Sequence, residues 1–191
     1  GSVAERNFRP HVNCVNITPD QKYLCAVDLG VDQVKIYKFN HETGKITLVD
    51  MLRCELESAP RIIKFSPDGR FAYLICELKN YISVYSYKDG PRGPVFELLQ
   101  TISTLNDYHS SGSAACVLRF SRDWKYVLCS NAGDNSIGIF KIDRETGKLE
   151  KICILPISGD YPKAADFFPD NRHIMSLNHE TNTMTIFKIN Y

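Results

Sequence analysis

Short runs in which apolar and polar residues alternate recur along the whole chain. Two clear examples are Val34-Lys35-Ile36-Tyr37 and Ile137-Gly138-Ile139-Phe140, both rich in β-branched and aromatic side chains. A period of two residues is typical of β-strands with one buried face, and each run is too short for an amphipathic helix. The pattern therefore predicts an all-β protein made of many short strands.

The strands belong to a repeat that occurs four times. An aspartate at a turn marks each copy, and successive aspartates are separated by 48, 55 and 47 residues: Asp20, Asp68, Asp123 and Asp170. A cation follows each aspartate by two residues, and an Asp or Asn follows it by twelve. A period of this length is typical of propeller blades, each with four antiparallel strands, here named a to d. In the first copy we expect them at 12–17, 23–28, 33–39 and 46–53.

The repeat boundaries predict a partial β-propeller, part of a larger ring, over residues 10–191. Residues 1–9 are interpreted as a tag remnant and leader. The expected blades are 10–58, 59–112, 113–159 and 160–191, and the last blade lacks strand d. We expect a half-ring with an apolar flank, whose missing blades come from another chain segment or a second copy. Polar insertions at 89–94 and 106–112 are assigned to loops.

Composition narrows the classes of partner. The chain has 23 basic and 22 acidic residues, so its net charge of +1 predicts no binding to nucleic acid or to a membrane surface. The seven cysteines show no zinc-ligand spacing and are interpreted as buried thiols in a reducing compartment, which favours a cytoplasmic location. No cofactor and no metal are predicted, because the repeated aspartates are explained as turn residues.

Propeller geometry brings two sets of positions to one central mouth. The start of strand a lies seven residues before each repeated aspartate, and the b–c loop lies nine residues after it. In the second repeat these positions are Arg61 and Glu77. Such a pair is suited to binding an anionic substrate, and the glutamate could also act as a general base. A purely structural ion pair explains the same spacing, and the sequence leaves both interpretations open.

Three further residues are predicted to bind substrate at this mouth. Lys163 offers a second positive charge, and Asn13 and His11 offer groups that orient a carbonyl or a water. The alternative for each is a solvated residue of the rim. His179 occupies the fourth b–c loop, and Tyr108 and His109 lie on a polar link that we considered as a flap.

Several of these motifs resemble the seven-bladed lactonase propellers, the family of 6-phosphogluconolactonase and of carboxymuconate lactonizing enzyme. The resemblance is carried by the runs 17–20, 27–30, 65–70 and 161–163, and more specifically by 59–61 together with 76–78. It covers residues 10–191 and implies the C-terminal part of a longer protein.

The resemblance implies an active-site role for Arg61 and Glu77. The chain departs from the family at Asn13, Ala132 and Lys163, where the family has His, Arg and Arg. Two functions follow as expectations. One is an enzyme, a lactonase or a cycloisomerase, that hydrolyses or forms a small anionic lactone of the 6-phosphogluconolactone or muconolactone type. The other is a non-catalytic propeller that binds a metabolite, a carboxylate or a partner protein at a degenerate site.

Overall fold

The computed structural model describes residues 9–107 and 112–190. Over these residues it contains 15 β-strands and one short 3-10 helix, arranged in four antiparallel sheets. The chain divides into two compact units, Gly1–Thr101 and Ile102–Tyr191. Nearly all of the predicted leader, together with Tyr108 and His109 of the polar link, lies outside the described residues. The predicted all-β fold built from propeller blades is confirmed.

The first sheet has its strands in chain order, as expected for a blade. They are β1 (Val12–Ile17), β2 (Tyr23–Asp28), β3 (Gln33–Phe39) and β4 (Ile46–Arg53). These bounds agree with the predicted ones. The 3-10 helix Leu29–Val31 joins β2 to β3, and the Asp28 carboxylate caps it by accepting a hydrogen bond from the Gly30 N–H.

The second sheet corrects one prediction. Its strands are β5 (Pro60–Phe65), β6 (Phe71–Cys76), β7 (Tyr81–Gly90) and β8 (Gly93–Ser103). The Gly- and Pro-rich stretch 89–94 was predicted to enlarge a loop, and this is wrong. Both strands continue into it and leave only residues 91–92 as the turn. Glycine at a strand end weakens the strand but does not prevent pairing, so the long hairpin is compatible with this composition.

The second unit contains the two remaining sheets. One has four strands: β9 (Ala115–Phe120), β10 (Tyr126–Asn131), β11 (Ser136–Ile142) and β12 (Leu149–Pro156). The other has three: β13 (Pro162–Phe167), β14 (His173–Asn178) and β15 (Thr183–Lys188). Over the described residues the fourth sheet has three strands, and the prediction that its blade lacks strand d stays a prediction.

The repeated aspartates form the turns that join strands a and b. Each carboxylate accepts a hydrogen bond from the backbone N–H two residues later, over 2.8–3.3 Å, in all four copies. In the fourth copy the Arg172 N–H and the His173 ring hold the pKa of Asp170 below its usual value. The turn role predicted for these residues is confirmed.

Each unit packs its own apolar core. In the first unit Val27, Ile36, Ile63 and Leu74 are fully buried between the two sheets. In the second unit Leu128, Ile137 and Ile139 belong to the corresponding cluster. The seven cysteines are free thiols, and Cys25, Cys76, Cys116 and Cys129 are buried.

Large apolar side chains are exposed on particular strands of each unit. In the first unit they include Val15 on β1 and Leu48 on β4. In the second unit they include Leu177 on β14 and Met184 on β15. These side chains agree with the predicted apolar flank, and what covers them stays a prediction. Over the described part of the chain, no helix has the length and apolar character needed to cross a membrane.

Candidate functional site

An ion pair joins Arg61 to Glu77 in the second sheet. Arg61 lies on β5 and Glu77 directly follows β6, and the guanidinium Nη1 contacts the carboxylate Oε2. The Arg61 side chain is 28% exposed, whereas that of Glu77 is only 3% exposed. The structure therefore brings together the two residues that the repeat predicted to meet. Their catalytic role stays a prediction.

A β-bulge places Arg61 at this position. In the β5–β6 ladder Pro60 lies opposite Cys76 and Ile62 lies opposite Ile75, so Arg61 is the extra residue on its strand. A bulge bends the strand, redirects the side chain and occurs often beside active sites. The sequence analysis did not identify it, because the alternation of the neighbouring apolar residues shows no clear interruption.

The same bulge recurs at two other predicted site residues. Asn13 is the extra residue of β1, between Val12 and Cys14. Lys163 is the extra residue of β13, between Pro162 and Ala164. In the third sheet the irregularity of the β9–β10 ladder falls at the corresponding place, between Cys129 and Asn131. A bulge or register irregularity at the position seven residues before the repeated aspartate thus recurs in all four sheets.

A backbone hydrogen bond ties each b–c loop to the start of its strand a. The Glu77 N–H donates to the Ala59 carbonyl over 2.8 Å. The equivalent donor–acceptor pairs in the other sheets have distances of 2.8–3.0 Å: Leu29–His11, Ala132–Ala114 and His179–Tyr161. The bond accounts for the approach of the two sets of positions within each sheet.

Asp32 is a supporting residue that the sequence analysis did not assign to the site. Its carboxylate is buried and accepts hydrogen bonds from the Glu57 and Ala59 N–H groups, both over 2.8 Å. Glu57 and Ala59 have φ of 61° and 53°, in the left-handed region that is unfavourable for residues other than glycine. Asp32 therefore stabilises the strained segment that leads to Arg61. The recurring Asp or Asn twelve residues after each turn aspartate was the available signal.

His11 and Asn13 lie beside this arrangement in the first unit. The His11 N–H donates to Asp28 over 2.7 Å, and the residue itself is exposed. The Asn13 side-chain amide donates to the Arg61 carbonyl over 3.2 Å. Asn13 thus contacts Arg61 through its backbone, and the predicted contacts of Asn13 and His11 with substrate stay predictions.

Lys163 lies in the second unit, in a surface cleft that His179 also lines. Its ammonium nitrogen is 5.3 Å from the centre of the Tyr161 ring, a cation–π contact. The Tyr161 ring in turn contacts that of His179, with 6.4 Å between ring centres. Ala132, at the equivalent loop position of the third sheet, is fully buried. The prediction that Lys163 binds substrate stays a prediction.

Cys76 precedes Glu77 and lies opposite Tyr81 in the β6–β7 ladder, and both side chains are uncharged at neutral pH. Burial raises the pKa of the Cys76 thiol to about 12. Burial also raises the pKa of the Tyr81 hydroxyl well above its ordinary value, and the nearby Cys76 adds to the shift.

Comparison with known proteins identifies the family. The sequence profile described as "Lactonase, 7-bladed beta-propeller" matches residues 1–191. A protein of Lactococcus lactis is 37% identical over 178 residues, which are 93% of this chain and 51% of the relative. The 6-phosphogluconolactonase of Bacillus subtilis is 28% identical over 184 residues, which are 96% of this chain and 52% of the relative.

A solved structure agrees with these matches. The periplasmic gluconolactonase PpgL of Pseudomonas aeruginosa superposes with a TM-score of 0.87 at 28% identity, over 95% of this chain and 50% of that one. The chain spans about half the length of the curated relatives it matches. The profile match extends over the same blades that the repeat, the bulges and the loop contacts define. The chain belongs to the seven-bladed β-propeller lactonase family.

Proposed function

We propose that the protein hydrolyses a small anionic lactone and that Arg61 binds the anionic group of this substrate. The observation that carries the proposal is the pairing of a partly exposed, bulged Arg61 with a Glu77 that is almost fully buried. The glutamate holds the guanidinium, and the exposed part of the Arg61 side chain can be reached by a ligand. A guanidinium is planar and presents five N–H donors, which suits carboxylate and phosphate groups.

The burial of Glu77 supports a particular division of roles. With only 3% of its side chain exposed, Glu77 is better placed to hold Arg61 than to activate a solvent water. In lactone hydrolysis a water attacks the carbonyl carbon, the bond to the ring oxygen breaks, and that oxygen takes up a proton. Arg61 would orient the lactone for this attack, since positioning of the reactants alone lowers the barrier.

The relatives favour aldonolactones as the substrate class. The Bacillus subtilis relative is a 6-phosphogluconolactonase and the Pseudomonas aeruginosa structure is a gluconolactonase. A 6-phosphogluconolactone carries a phosphate for which Arg61 would be the partner. The positive charge of Lys163 in the second unit would suit the same class of ligand.

Hydrolysis of 6-phosphogluconolactone by the full-length protein tests the proposal. We expect Arg61→Ala to lower kcat/KM by about 100-fold, the loss usual when a charge-assisted contact to a bound anion is removed. Lys64→Ala is the matched control, because Lys64 is a cation on the same strand but outside the bulge. Equal rates in the wild type and Arg61→Ala, or equal losses in the two variants, would refute the proposed role of Arg61.

A non-catalytic anion-binding propeller is the second candidate. The buried Ala132 stands where the family has an arginine, so the third sheet offers no cation from that loop position. Under this alternative, calorimetry with 6-phosphogluconate would show binding that Arg61→Ala abolishes, while the protein would not accelerate lactone hydrolysis above the spontaneous rate.

A further inference from the structure

We infer that Asn13 is a positioning residue that orients Arg61 toward its ligand. The inference rests on the proposed function, in which Arg61 binds the anionic group of a lactone. It assigns to Asn13 a role that differs from the direct substrate contact expected from its place on the rim. The role follows from one hydrogen bond and from the bulges at both of its ends.

The Asn13 amide meets Arg61 where the β-ladder is interrupted. Its Nδ2 donates to the Arg61 carbonyl over 3.2 Å, and Arg61 is the residue that the bulge inserts between two paired positions. A bulged residue is displaced from the regular pairing of its strand, and here its carbonyl accepts a hydrogen bond from a side chain of another strand. Asn13 supplies one from the neighbouring sheet of the same unit.

Fixing this carbonyl fixes the direction of the Arg61 side chain. The carbonyl carbon and the Cβ of Arg61 are both bonded to its Cα. A hydrogen bond that restrains the peptide plane therefore also restrains the direction of the Cα–Cβ bond. Two residues earlier, the Asp32 carboxylate holds the Ala59 N–H over 2.8 Å. The segment that presents the guanidinium is therefore held on both sides, and Glu77 holds the guanidinium itself.

The chain contains a matched hydrogen bond without this role. Asn16, also on β1, donates from its Nδ2 to the Ile63 carbonyl over 3.0 Å. Ile63 is buried and lies in the regular part of the β5–β6 ladder, opposite Leu74. The two bonds join the same pair of strands with the same chemistry, but only that of Asn13 ends on the bulge. Their comparison separates positioning of Arg61 from stabilisation of the packed sheets.

The second unit shows a different solution at the equivalent place. Cys116 occupies the position that matches Asn13, and its Sγ donates to the Ala114 carbonyl in its own loop over 3.4 Å. A thiol is a weaker hydrogen-bond donor than an amide. In the described residues, an amide of the first unit thus stands where the second unit has a thiol.

A double-mutant cycle tests the inference in the full-length protein, with hydrolysis of 6-phosphogluconolactone as the readout. We expect Asn13→Ala to lower kcat/KM by about fivefold, chiefly through KM, the effect of one hydrogen bond. The same substitution in an Arg61→Ala background should change kcat/KM by less than about twofold. Asn16→Ala should leave kcat/KM within about twofold of the wild type. A fivefold loss that persists without Arg61 would mean direct contact of Asn13 with substrate and would overturn the inference.

A second readout keeps the inference testable if lactone turnover fails. NMR relaxation of the Arg61 Nε–Hε group measures the order of the side chain without substrate. We expect this order to fall in Asn13→Ala and to stay at the wild-type value in Asn16→Ala. Unchanged Arg61 order in Asn13→Ala would refute positioning, whereas equal turnover in wild type and Arg61→Ala would refute the proposed function instead.

Discussion

The second and fourth sheets, one in each unit, have the same backbone conformation at the start of strand a but differ in the side chains that it carries. In both sheets a bulge on strand a presents a cation, Arg61 or Lys163. In both, the residue two positions before the cation has a left-handed φ, 53° at Ala59 and 61° at Tyr161. The repeat therefore supplies the same frame twice.

The support of these strained residues is also shared. Asp32 accepts from the Ala59 N–H, and Asn135, twelve residues after its own turn aspartate, accepts from the Tyr161 N–H; both bonds measure 2.8 Å. Asp32 additionally accepts from Glu57, whereas the Asn135 amide donates to Asp160. A side chain of one sheet thus fixes the loop of the next sheet in each unit.

The partners of the two cations differ. Arg61 is paired with the buried Glu77, whereas Lys163 lies over the Tyr161 ring. The position of Glu77 is taken in the fourth sheet by His179, whose side chain is 58% exposed. The comparison shows that the repeat determines the position of the bulged residue on strand a. The residue that follows strand b then determines whether a cation at this position forms a buried ion pair. On this basis the second sheet is the better candidate for specific anion binding.

The largest expected effect concerns the support of the two loops. Asp32→Ala should lower the free energy of unfolding by about 3 kcal/mol, because it leaves two backbone N–H groups without their carboxylate. Asn135→Ala should cost about 1 kcal/mol, since it removes one such bond at a less buried site. Urea unfolding measures both. Asp32→Asn should fall between the two alanine variants, because its single amide oxygen can accept only one of the two bonds and its NH2 group cannot accept the other. Equal losses in the two alanine variants would break the comparison.

A smaller effect is expected from exchanging the two cations. Arg61→Lys should lower kcat/KM for 6-phosphogluconolactone by about tenfold, because an ammonium cannot bind Glu77 and an anion with the planar geometry of a guanidinium. Lys163→Arg should change it by less than about threefold, since its ring contact suits either cation. Steady-state kinetics of the two variants in parallel give the result, and a larger loss in Lys163→Arg would reverse the assignment of the principal cation.

The smallest expected effect is a shared pH dependence of the turns. Burial alone would raise the pKa of Asp68. Hydrogen bonds from Ser66 and Arg70 outweigh this effect and hold the pKa below its ordinary value of 3.8. The backbone N–H of Arg172 leads the corresponding shift at Asp170. A carboxyl group whose pKa is lower in the folded state stabilises the folded protein at pH values above its unfolded pKa. This contribution is lost as the pH falls below 3.8 and passes through the pKa of the folded state.

Asparagine variants test this dependence. Asp68→Asn and Asp170→Asn retain an acceptor but do not titrate, so each should reduce the loss of stability below pH 3.8 by a similar amount. Urea midpoints measured from about pH 6 downward would show the change. Unequal slopes in the two variants would mean that the turns are not equivalent in the two sheets.

Much of the fold could be predicted because its determinants are local. The alternation of apolar residues and the aspartate turns located the strands of the first sheet, since both features act over a few residues. The hairpin at 89–94 was missed because glycine and proline are stronger indicators of loops than of strand ends. The approach of Arg61 and Glu77 was predictable from the repeat, because antiparallel strands bring their ends together.

The supporting structure of the site was harder to predict. A bulge at Arg61 depends on one unpaired residue in a ladder, which leaves little trace in the alternation of β5. Asp32 acts through contacts with residues 25 and 27 positions later in the chain. The sequence showed that an Asp or Asn recurs at this position of each repeat, but it did not show which groups the side chain would bind. The contact of Asn13 with Arg61 spans 48 residues and two sheets.

The central claim is that Arg61, held by Glu77, recognises the negative charge of the substrate. Its most direct test compares charged and uncharged lactones in the full-length protein. We predict that Arg61→Ala lowers kcat/KM for 6-phosphogluconolactone by about 100-fold and for glucono-δ-lactone by less than about threefold, because only the first substrate carries the phosphate. Equal losses with both lactones, or no loss with either, would contradict the claim.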